Sequence, residues 1–228
     1  MMKQRRQSGF TIVELMIATV VFSVLLMTFA GAIIQIGRLY YKGVTSARTQ
    51  EVARTTLNEI AQAIQFDPGT VTPTTVDTLD NTGANTKAIC INTKLYSYRI
   101  GQQRVDDKHG LVVEDIPSGC QGTTAKPLTG TVTGDEVLGD KMRLAKFEVV
   151  RIPNADPDVS AYRVTLRVVY GDDDLVCSPS VGNCSSTNIM DANAIAVASD
   201  LSCKNIKSGT QFCSASELST IVERRLTK

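Results

Sequence analysis

The sequence predicts an α+β protein, in which one long N-terminal helix packs by its second half on an antiparallel β-sheet and a short C-terminal helix follows. Three observations predict this fold. No residue from Leu15 to Gly37 is charged, and an amphipathic pattern continues from there to Phe66. Two later segments alternate apolar and polar residues with period two, as half-buried strands do. With 228 residues and a net charge of +1, the chain suits one globular domain with an appendage.

The first half of the predicted helix, residues 10–37, is apolar all round. At a rise of about 1.5 Å per residue, the uncharged stretch is long enough to cross a bilayer. Lys3, Arg5 and Arg6 precede it, so we expect the N-terminus to stay in the cytoplasm and the chain beyond Arg38 to be exported.

The second half of the predicted helix, residues 38–66, is apolar on one face only. The residues of that face recur at helical spacing: Leu39, Tyr40, Val44, Ala47, Val52, Leu57, Ile60, Ala61 and Ile64. The helix is predicted to end at Phe66, because Asp67, Pro68 and Gly69 form a stop signal. We expect this half to cover the apolar face of a sheet.

An ordinary secretory signal peptide is the alternative interpretation of the N-terminus. The basic residues fit it, and Ala30-Gly31-Ala32 would serve as a cleavage site. However, the apolar run continues past that site through Ile36, and Glu14 lies near its cytoplasmic end. An unpaired carboxylate at membrane depth is expensive, so Glu14 predicts a partner.

The segment from Gly9 to Ala18, Gly-Phe-Thr-Ile-Val-Glu-Leu-Met-Ile-Ala, resembles the type III signal of type IV prepilins and of type II secretion pseudopilins. The resemblance implies that a prepilin peptidase cuts after Gly9, that Phe10 becomes an N-methylated N-terminus, and that Glu14 is the acidic residue of the family. It also implies the arrangement of helix on sheet. The chain has Gly31 in the region where many major pilins carry a proline.

Elementary electrostatics supports a role for Glu14 in assembly. After cleavage the amine of Phe10 is a cation at the end of an apolar helix, and Glu14 is an anion one turn later. Leaving either charge unpaired in a dry filament core would cost several kcal/mol, so we expect Glu14 to pair with the Phe10 amine of a neighbouring subunit. The alternative is that Glu14 extends to the lipid headgroups of a single-pass anchor.

Residues 67–228 are predicted to form the exported, β-rich domain. We expect a loop from Pro68 to Lys87, which is rich in Thr, Asp, Asn and Gly. The strand candidates are Ala88–Asn92, Leu95–Ile100, Leu111–Ile116, Leu144–Ile152 and Ala161–Tyr170. The last two flank a turn-forming segment and predict an antiparallel hairpin. Ser214 with Glu217 fits a capping box, and the apolar stripe Leu218, Ile221, Val222 and Leu226 then predicts the C-terminal helix.

Six cysteines lie in the exported part, and their even number predicts a disulfide framework in an oxidising compartment. The pairs that close short loops are Cys177 with Cys184 and Cys203 with Cys213, which leaves Cys90 with Cys120. This is one of fifteen connectivities, and the tendency of the pilin family to staple its C-terminal region favours the Cys203 to Cys213 bridge. Reduced, buried thiols are the alternative. Zinc fits poorly, because no CxxC pair occurs and His109, in a polar stretch typical of a solvated loop, is distant in sequence.

Other motifs favour solvated surfaces over chemistry. Asp172-Asp173-Asp174 is predicted to be a solvated turn, since the spacing of a calcium loop is missing. Arg163 and Arg167 fit an exposed sheet face more closely than a nucleic-acid surface, because no aromatic residues are interleaved with them. The sequence has no catalytic motif, so we expect a protein that is not an enzyme and that needs no cofactor or metal.

The function that these features predict is a minor pilin or pseudopilin subunit of a type IV pilus or of a type II secretion-like filament. Its expected partners are the prepilin peptidase, other pilin subunits, the assembly platform and the membrane. We expect a single-pass cytoplasmic membrane protein that then enters an extracellular or periplasmic filament. The alternatives are a tip adhesin or DNA-uptake subunit, although no motif supports a host surface or nucleic acid as ligand, and an ordinary secreted protein.

Overall fold

The computed structural model describes residues 10–66, 76–79, 85–91, 93–119, 125–153, 161–180, 184, 200–205 and 209–224. The chain divides into two compact units between Tyr41 and Lys42. The helix α1, Ile12–Gln65, begins in the first unit and ends in the second. Its bounds confirm the prediction of a single long helix and differ from the predicted ends by two residues and one residue.

In the first unit, the apolar side chains of α1 are exposed. Among its large apolar side chains in this unit, the exposed fraction ranges from 49% at Leu25 to 80% at Ile12. Helical residues that are apolar all round and uncovered in water would be unstable, so this segment needs an apolar environment.

In the second unit, one face of α1 is buried in the core. Leu57, Ile60 and Ile64 are buried, as the apolar periodicity predicts. Two threonines on the same face, Thr49 and Thr56, are buried as well, and periodicity alone missed them. Their hydroxyls donate to the carbonyl oxygens four residues earlier, at 2.7 and 2.8 Å, so that only their methyl groups need apolar neighbours.

Five strands form an antiparallel sheet in which each pairs with the next along the chain. They are β1 Val76–Leu79, β2 Asn85–Ile91, β3 Lys94–Tyr98, β4 Leu111–Asp115 and β5 Asp135–Glu136. Three of the strand candidates are therefore confirmed. The predicted loop from Pro68 to Lys87 is wrong at residues 76–79 and 85–87, where the backbone pairs as β1 with β2. The other residues of that loop lie outside the described ranges.

A second, three-stranded sheet contains β6 Met142–Ile152, β7 Ala161–Tyr170 and β10 Ser214–Glu223, in the order β10-β7-β6. The β6–β7 pair is the predicted antiparallel hairpin, with a register shift between Leu144 and Lys146. Two short strands, β8 Val176–Cys177 and β9 Ser202–Cys203, pair separately.

The predicted C-terminal helix is wrong, because residues 214–223 form β10. This strand pairs with β7 over its whole length, from Ser214 opposite Tyr170 to Glu223 opposite Ala161. Burial alternates along it: Ser214 and Ser216 are buried, whereas Ala215 and Glu217 are exposed. The β-branched run Thr220-Ile221-Val222 suits a strand, and ten registered pairs outweigh a local capping pattern. Leu226 lies outside the described residues.

The helix and both sheets share one core in the second unit. Ile60 and Ile64 of α1, Tyr96 of β3, Phe147 of β6 and Leu166 of β7 all belong to one cluster of buried side chains. The ring of Phe147 packs edge-on against Tyr96 and Tyr98, with centroids 6.2 and 5.1 Å apart. The predicted cover of the sheet by the second half of the helix is confirmed.

Two of the three predicted disulfides are present as predicted, Cys177–Cys184 and Cys203–Cys213. Cys90 is also disulfide-bonded, and its predicted partner Cys120 lies outside the described residues. The bridge at Cys213 ends directly before β10, so it fixes the point where the last strand enters the sheet.

Candidate assembly site at the start of the helix

The described chain begins at Phe10, and Thr11 caps α1. The backbone amide of Glu14 donates to Thr11 Oγ1 at 3.2 Å. In return, the backbone amide and the hydroxyl of Thr11 donate to Glu14 Oε2, each at 3.1 Å. This reciprocal pair is a capping box, which satisfies amides that the first turn leaves without a helical partner. The pattern Thr-x-x-Glu is visible in the sequence, but the sequence-based prediction of the helix start missed it.

Glu14 has no cation beside it in the described part of the chain. Its ion-pair partner, if it has one, must therefore come from outside those residues. The helix N-terminus itself supplies a partial positive charge that suits the carboxylate. The side chains of Ile17, Ala18, Val21 and Phe22 continue from Glu14 as an apolar strip along the helix. A charged group thus lies at the head of an uncovered apolar surface.

By length and composition, α1 is able to cross a membrane; this holds for no other helix among the described residues. No residue is buried in the apolar stretch of α1 that makes it able to cross a membrane. Glu14 lies in the first turn of this helix, and Phe10 lies two residues before its first residue. Gly9, the predicted cleavage position, is outside the described residues.

A family model, the prokaryotic N-terminal methylation motif, matches residues 4–30. The chain carries a type IV pilin signal. This finding supports the resemblance that the segment Gly9–Ala18 shows and is consistent with a prepilin-like protein. The signal implies processing by prepilin peptidase, anchoring in a membrane before assembly, and assembly with other pilin subunits.

Neither a curated protein nor a solved structure matches the chain. The family match covers residues 4–30, which include the first part of α1, and it gives no information about the rest of the chain.

In the second unit, the acidic run after β7 is held by two cations, one directly before β6 and one near its start. Lys141 Nζ lies 3.0 Å from Asp172 Oδ2, and Arg143 Nη1 lies 2.7 Å from Asp173 Oδ1. The Arg143 side chain is only 1% exposed and also donates from Nη2 to the Gly171 carbonyl at 2.8 Å. These contacts tie the end of β7 to the start of β6, and the described residues contain no group of three side chains suited to a metal ion. Sequence reasoning missed the buried Arg143.

His109 is not the solvated loop residue that its sequence neighbours predict. Its ring is 18% exposed, and Nδ1 lies 3.3 Å from Glu136 Oε2. Glu136 also accepts backbone amides of Gly110, Leu111 and Leu138 at 3.0, 3.2 and 2.9 Å. Burial raises the pKa of the Glu136 carboxyl, against the opposing effect of these amides and of His109. The carboxylate therefore joins two loops to β4 and serves a structural role.

The two arginines of the predicted sheet face differ. Arg167 forms an ion pair with Glu217 of β10, its cross-strand neighbour. Arg163 is exposed between Val150 and Ile221, which are 54% and 60% exposed. One arginine is therefore neutralised within the sheet, and the pair does not form a basic surface of the kind that nucleic acid requires.

Proposed function

We propose that this chain is a minor pilin or pseudopilin, a structural subunit that enters a type IV pilus or a type II secretion-like filament and is not an enzyme. The observation that supports the proposal most directly is Glu14, capped but without a cation among the described residues, at the head of an exposed apolar helix that carries the pilin signal. In a filament core, the Phe10 amine of a neighbouring subunit supplies the missing cation and fixes the axial register between subunits.

The construction of the β-rich domain fits a structural subunit that works outside the cytoplasm. It carries an α1-covered core, a disulfide directly before its last strand and a further bonded cysteine at position 90. These bridges suit an oxidising compartment, which is where a filament operates.

The first experiment is mass spectrometry of the mature N-terminus. We expect a chain that begins at N-methylated Phe10 and retains α1. A chain beginning at Ile33 would show ordinary secretion instead, and a chain that keeps residues 1–9 would show that the signal is not processed. Gly9→Val serves as the control, because it should leave the leader attached without altering the exported domain.

The second experiment measures filament incorporation. Sheared filaments from cells with an epitope-tagged chain should contain the tag, and cells without the assembly platform should retain it in the membrane fraction. The proposal is contradicted if the tag is absent from sheared filaments, or if the sheared material contains equal amounts of it with and without the platform.

A further inference from the structure

The uncharged stretch of α1 is followed by a short segment, residues 38–41, whose side chains are all exposed. It contains Arg38 and two tyrosines, Tyr40 and Tyr41, which are 68% and 55% exposed. The two rings meet edge to face, with centroids 6.2 Å apart. Within the part of the chain that the structure describes, the guanidinium of Arg38 has neither an ion-pair nor a hydrogen-bond partner. The segment therefore presents an unpaired cation and two exposed phenol rings, all within the first unit.

The position of this segment along α1 matches the thickness of a bilayer. The stretch without charge, from Leu15 to Gly37, is about 35 Å long at a rise of about 1.5 Å per residue. The hydrocarbon core of a bilayer is about 30 Å thick. When Glu14 lies at one boundary of this core, Arg38 and the two tyrosines therefore lie at the other, at the level of the headgroups.

The directions of these side chains favour lipid over protein as their partner. Successive residues of a helix are rotated by about 100°, so Arg38 and Tyr40 point to nearly opposite sides of α1. One protein surface covers one side of a helix, whereas lipid headgroups surround it. Tyrosine concentrates at membrane interfaces, because its ring is apolar and its hydroxyl is polar. A guanidinium binds phosphate through two parallel hydrogen bonds.

We propose that Arg38, Tyr40 and Tyr41 form an interfacial anchor, in which Arg38 binds the phosphate groups of lipids on the exported side and the two tyrosines lie among the headgroups. The anchor fixes how deeply α1 lies in the membrane before assembly, and with it the height of Glu14 at the opposite boundary. The inference rests on the membrane anchoring that belongs to the proposed function. It adds the lipid phosphate as a partner and the residues that recognise it.

The test measures the depth of a single tryptophan in a membrane. The chain contains no tryptophan, so Tyr40→Trp introduces one fluorophore and keeps a ring that prefers the interface. The full chain is reconstituted into vesicles of phosphatidylcholine and phosphatidylglycerol, whose acyl chains carry bromine either close to the headgroup or close to the methyl end. We expect the shallow bromine to quench the fluorescence more strongly. Phe29→Trp, within the uncharged stretch, is the matched control and should be quenched more strongly by the deep bromine.

Changes at Arg38, each combined with Tyr40→Trp, test the phosphate contact. Arg38→Leu extends the apolar stretch through Leu39, so the ring at position 40 should move deeper and the ratio of shallow to deep quenching should fall by at least about twofold. Arg38→Lys should keep the ratio, because an ammonium on a long side chain also reaches the phosphates. Arg54→Leu removes an exposed cation of the second unit and should leave the ratio unchanged.

The proposal is overturned if the deep bromine quenches the ring at position 40 more strongly, if neither bromine quenches it, or if Arg38→Leu and Arg54→Leu give the same ratio. The control at Phe29 distinguishes these outcomes from a failure of the membrane anchor itself. If neither bromine quenches the ring at position 29, α1 does not lie in the membrane, and the proposed anchoring is wrong together with this inference.

Discussion

Thr11 and Glu14 form reciprocal hydrogen bonds at the start of α1. The backbone amide and the hydroxyl of Thr11 donate to one carboxylate oxygen of Glu14, and the backbone amide of Glu14 donates to the hydroxyl of Thr11. Glu14 therefore has a role within its own chain that does not depend on a neighbouring subunit. A loss of assembly in a Glu14→Ala variant would leave two explanations, a missing cap or a missing charge. The capping box provides a way to separate them, because glutamine serves at its last position as well as glutamate does.

Glu14→Gln is expected to keep the cap and to abolish assembly. The amide oxygen of glutamine still accepts from Thr11, but it offers no charge to the Phe10 amine of a neighbour. We expect membrane insertion to be unchanged and incorporation into sheared filaments to fall by at least about tenfold, which corresponds to about 1.4 kcal/mol. Quantitative immunoblots of the membrane and filament fractions give both values.

Thr11→Ala is the matched control for this prediction. It removes the hydroxyl of the cap, at a cost of about 0.5–2 kcal/mol to the helix end, and keeps the charge. We expect incorporation close to that of the wild type. If Glu14→Gln assembles normally while Thr11→Ala does not, the cap is what assembly requires, and charge pairing is wrong.

The same local pattern occurs at a helix start where sequence reasoning missed it and in a strand that sequence reasoning wrongly predicted to be a helix. Ser-x-x-Glu at Ser214–Glu217 predicts a helix and lies in β10, whereas Thr-x-x-Glu at Thr11–Glu14 does cap a helix. The pattern alone does not decide, because the residues after it determine which structure forms. After Glu14 comes a long apolar run that is helical in any water-free environment, and after Glu217 comes a β-branched stretch that meets β7.

The long helix and the main hairpin were predictable because their signals are periodic and local. The contacts of Arg143 with Asp173 and of His109 with Glu136 were not, because each joins strands or loops whose pairing depends on the register of the whole sheet. The capping box at the N-terminus was readable from four consecutive residues. The position of β6 at the end of the three-stranded sheet was not, because strand order depends on contacts between segments that are distant in sequence.

Gly171→Ala is expected to destabilise the β-rich domain. Gly171 has φ +142°, and an added Cβ would lie 3.2 Å from Cys213 Sγ and 3.3 Å from its Cβ. Gly130→Ala is the control, since φ is +78° there and nothing lies within 4 Å of the added atom. Backbone strain of about 1–3 kcal/mol applies to both variants. The crowding at Cys213 should add about 1 kcal/mol or more at Gly171 alone. Urea unfolding followed by tyrosine fluorescence measures the difference, and equal losses would show that the crowding is relieved without cost.

The ion pair between Glu59 of α1 and Lys94 of β3 should contribute to the free energy of unfolding in a pH-dependent way. Their charged atoms are 2.6 Å apart, and the hydrogen bond to Glu59 raises the pKa of Lys94. A raised pKa in the folded state stabilises the fold below the ordinary value of 10.5 and loses that effect as the pH rises through the folded value. Glu59→Gln should lower the free energy of unfolding by less than about 1 kcal/mol at pH 7, because both groups are partly exposed.

The difference between the wild type and Glu59→Gln should shrink in high salt. It should also shrink as the pH rises above 10.5 and through the raised pKa at which Lys94 loses its proton in the folded chain. Glu51→Gln is the matched control on the exposed face of the same helix and should change little at any pH. A difference that persists unchanged at high pH would mean that Glu59 acts through packing and not through its charge.

The contribution of Glu136 to the free energy of unfolding should change with pH in the opposite direction from that of an ordinary ion-paired carboxylate. Because burial raises its pKa, the folded chain holds a proton on Glu136 at pH values where the unfolded chain has released it. The contribution to stability is complete below the ordinary value of 4.5 and is lost as the pH rises through the folded value.

Since the His109 ring is also ionisable and lies beside this carboxyl, the comparison is best made in a His109→Gln background, with and without Glu136→Gln. With Glu136 present, the free energy of unfolding should fall as the pH rises from 4.5, relative to the chain that carries Glu136→Gln and has no ionisable group at this position. If the free energies of unfolding of the two chains change with pH in parallel, the three amide donors offset the effect of burial on the pKa of Glu136 completely.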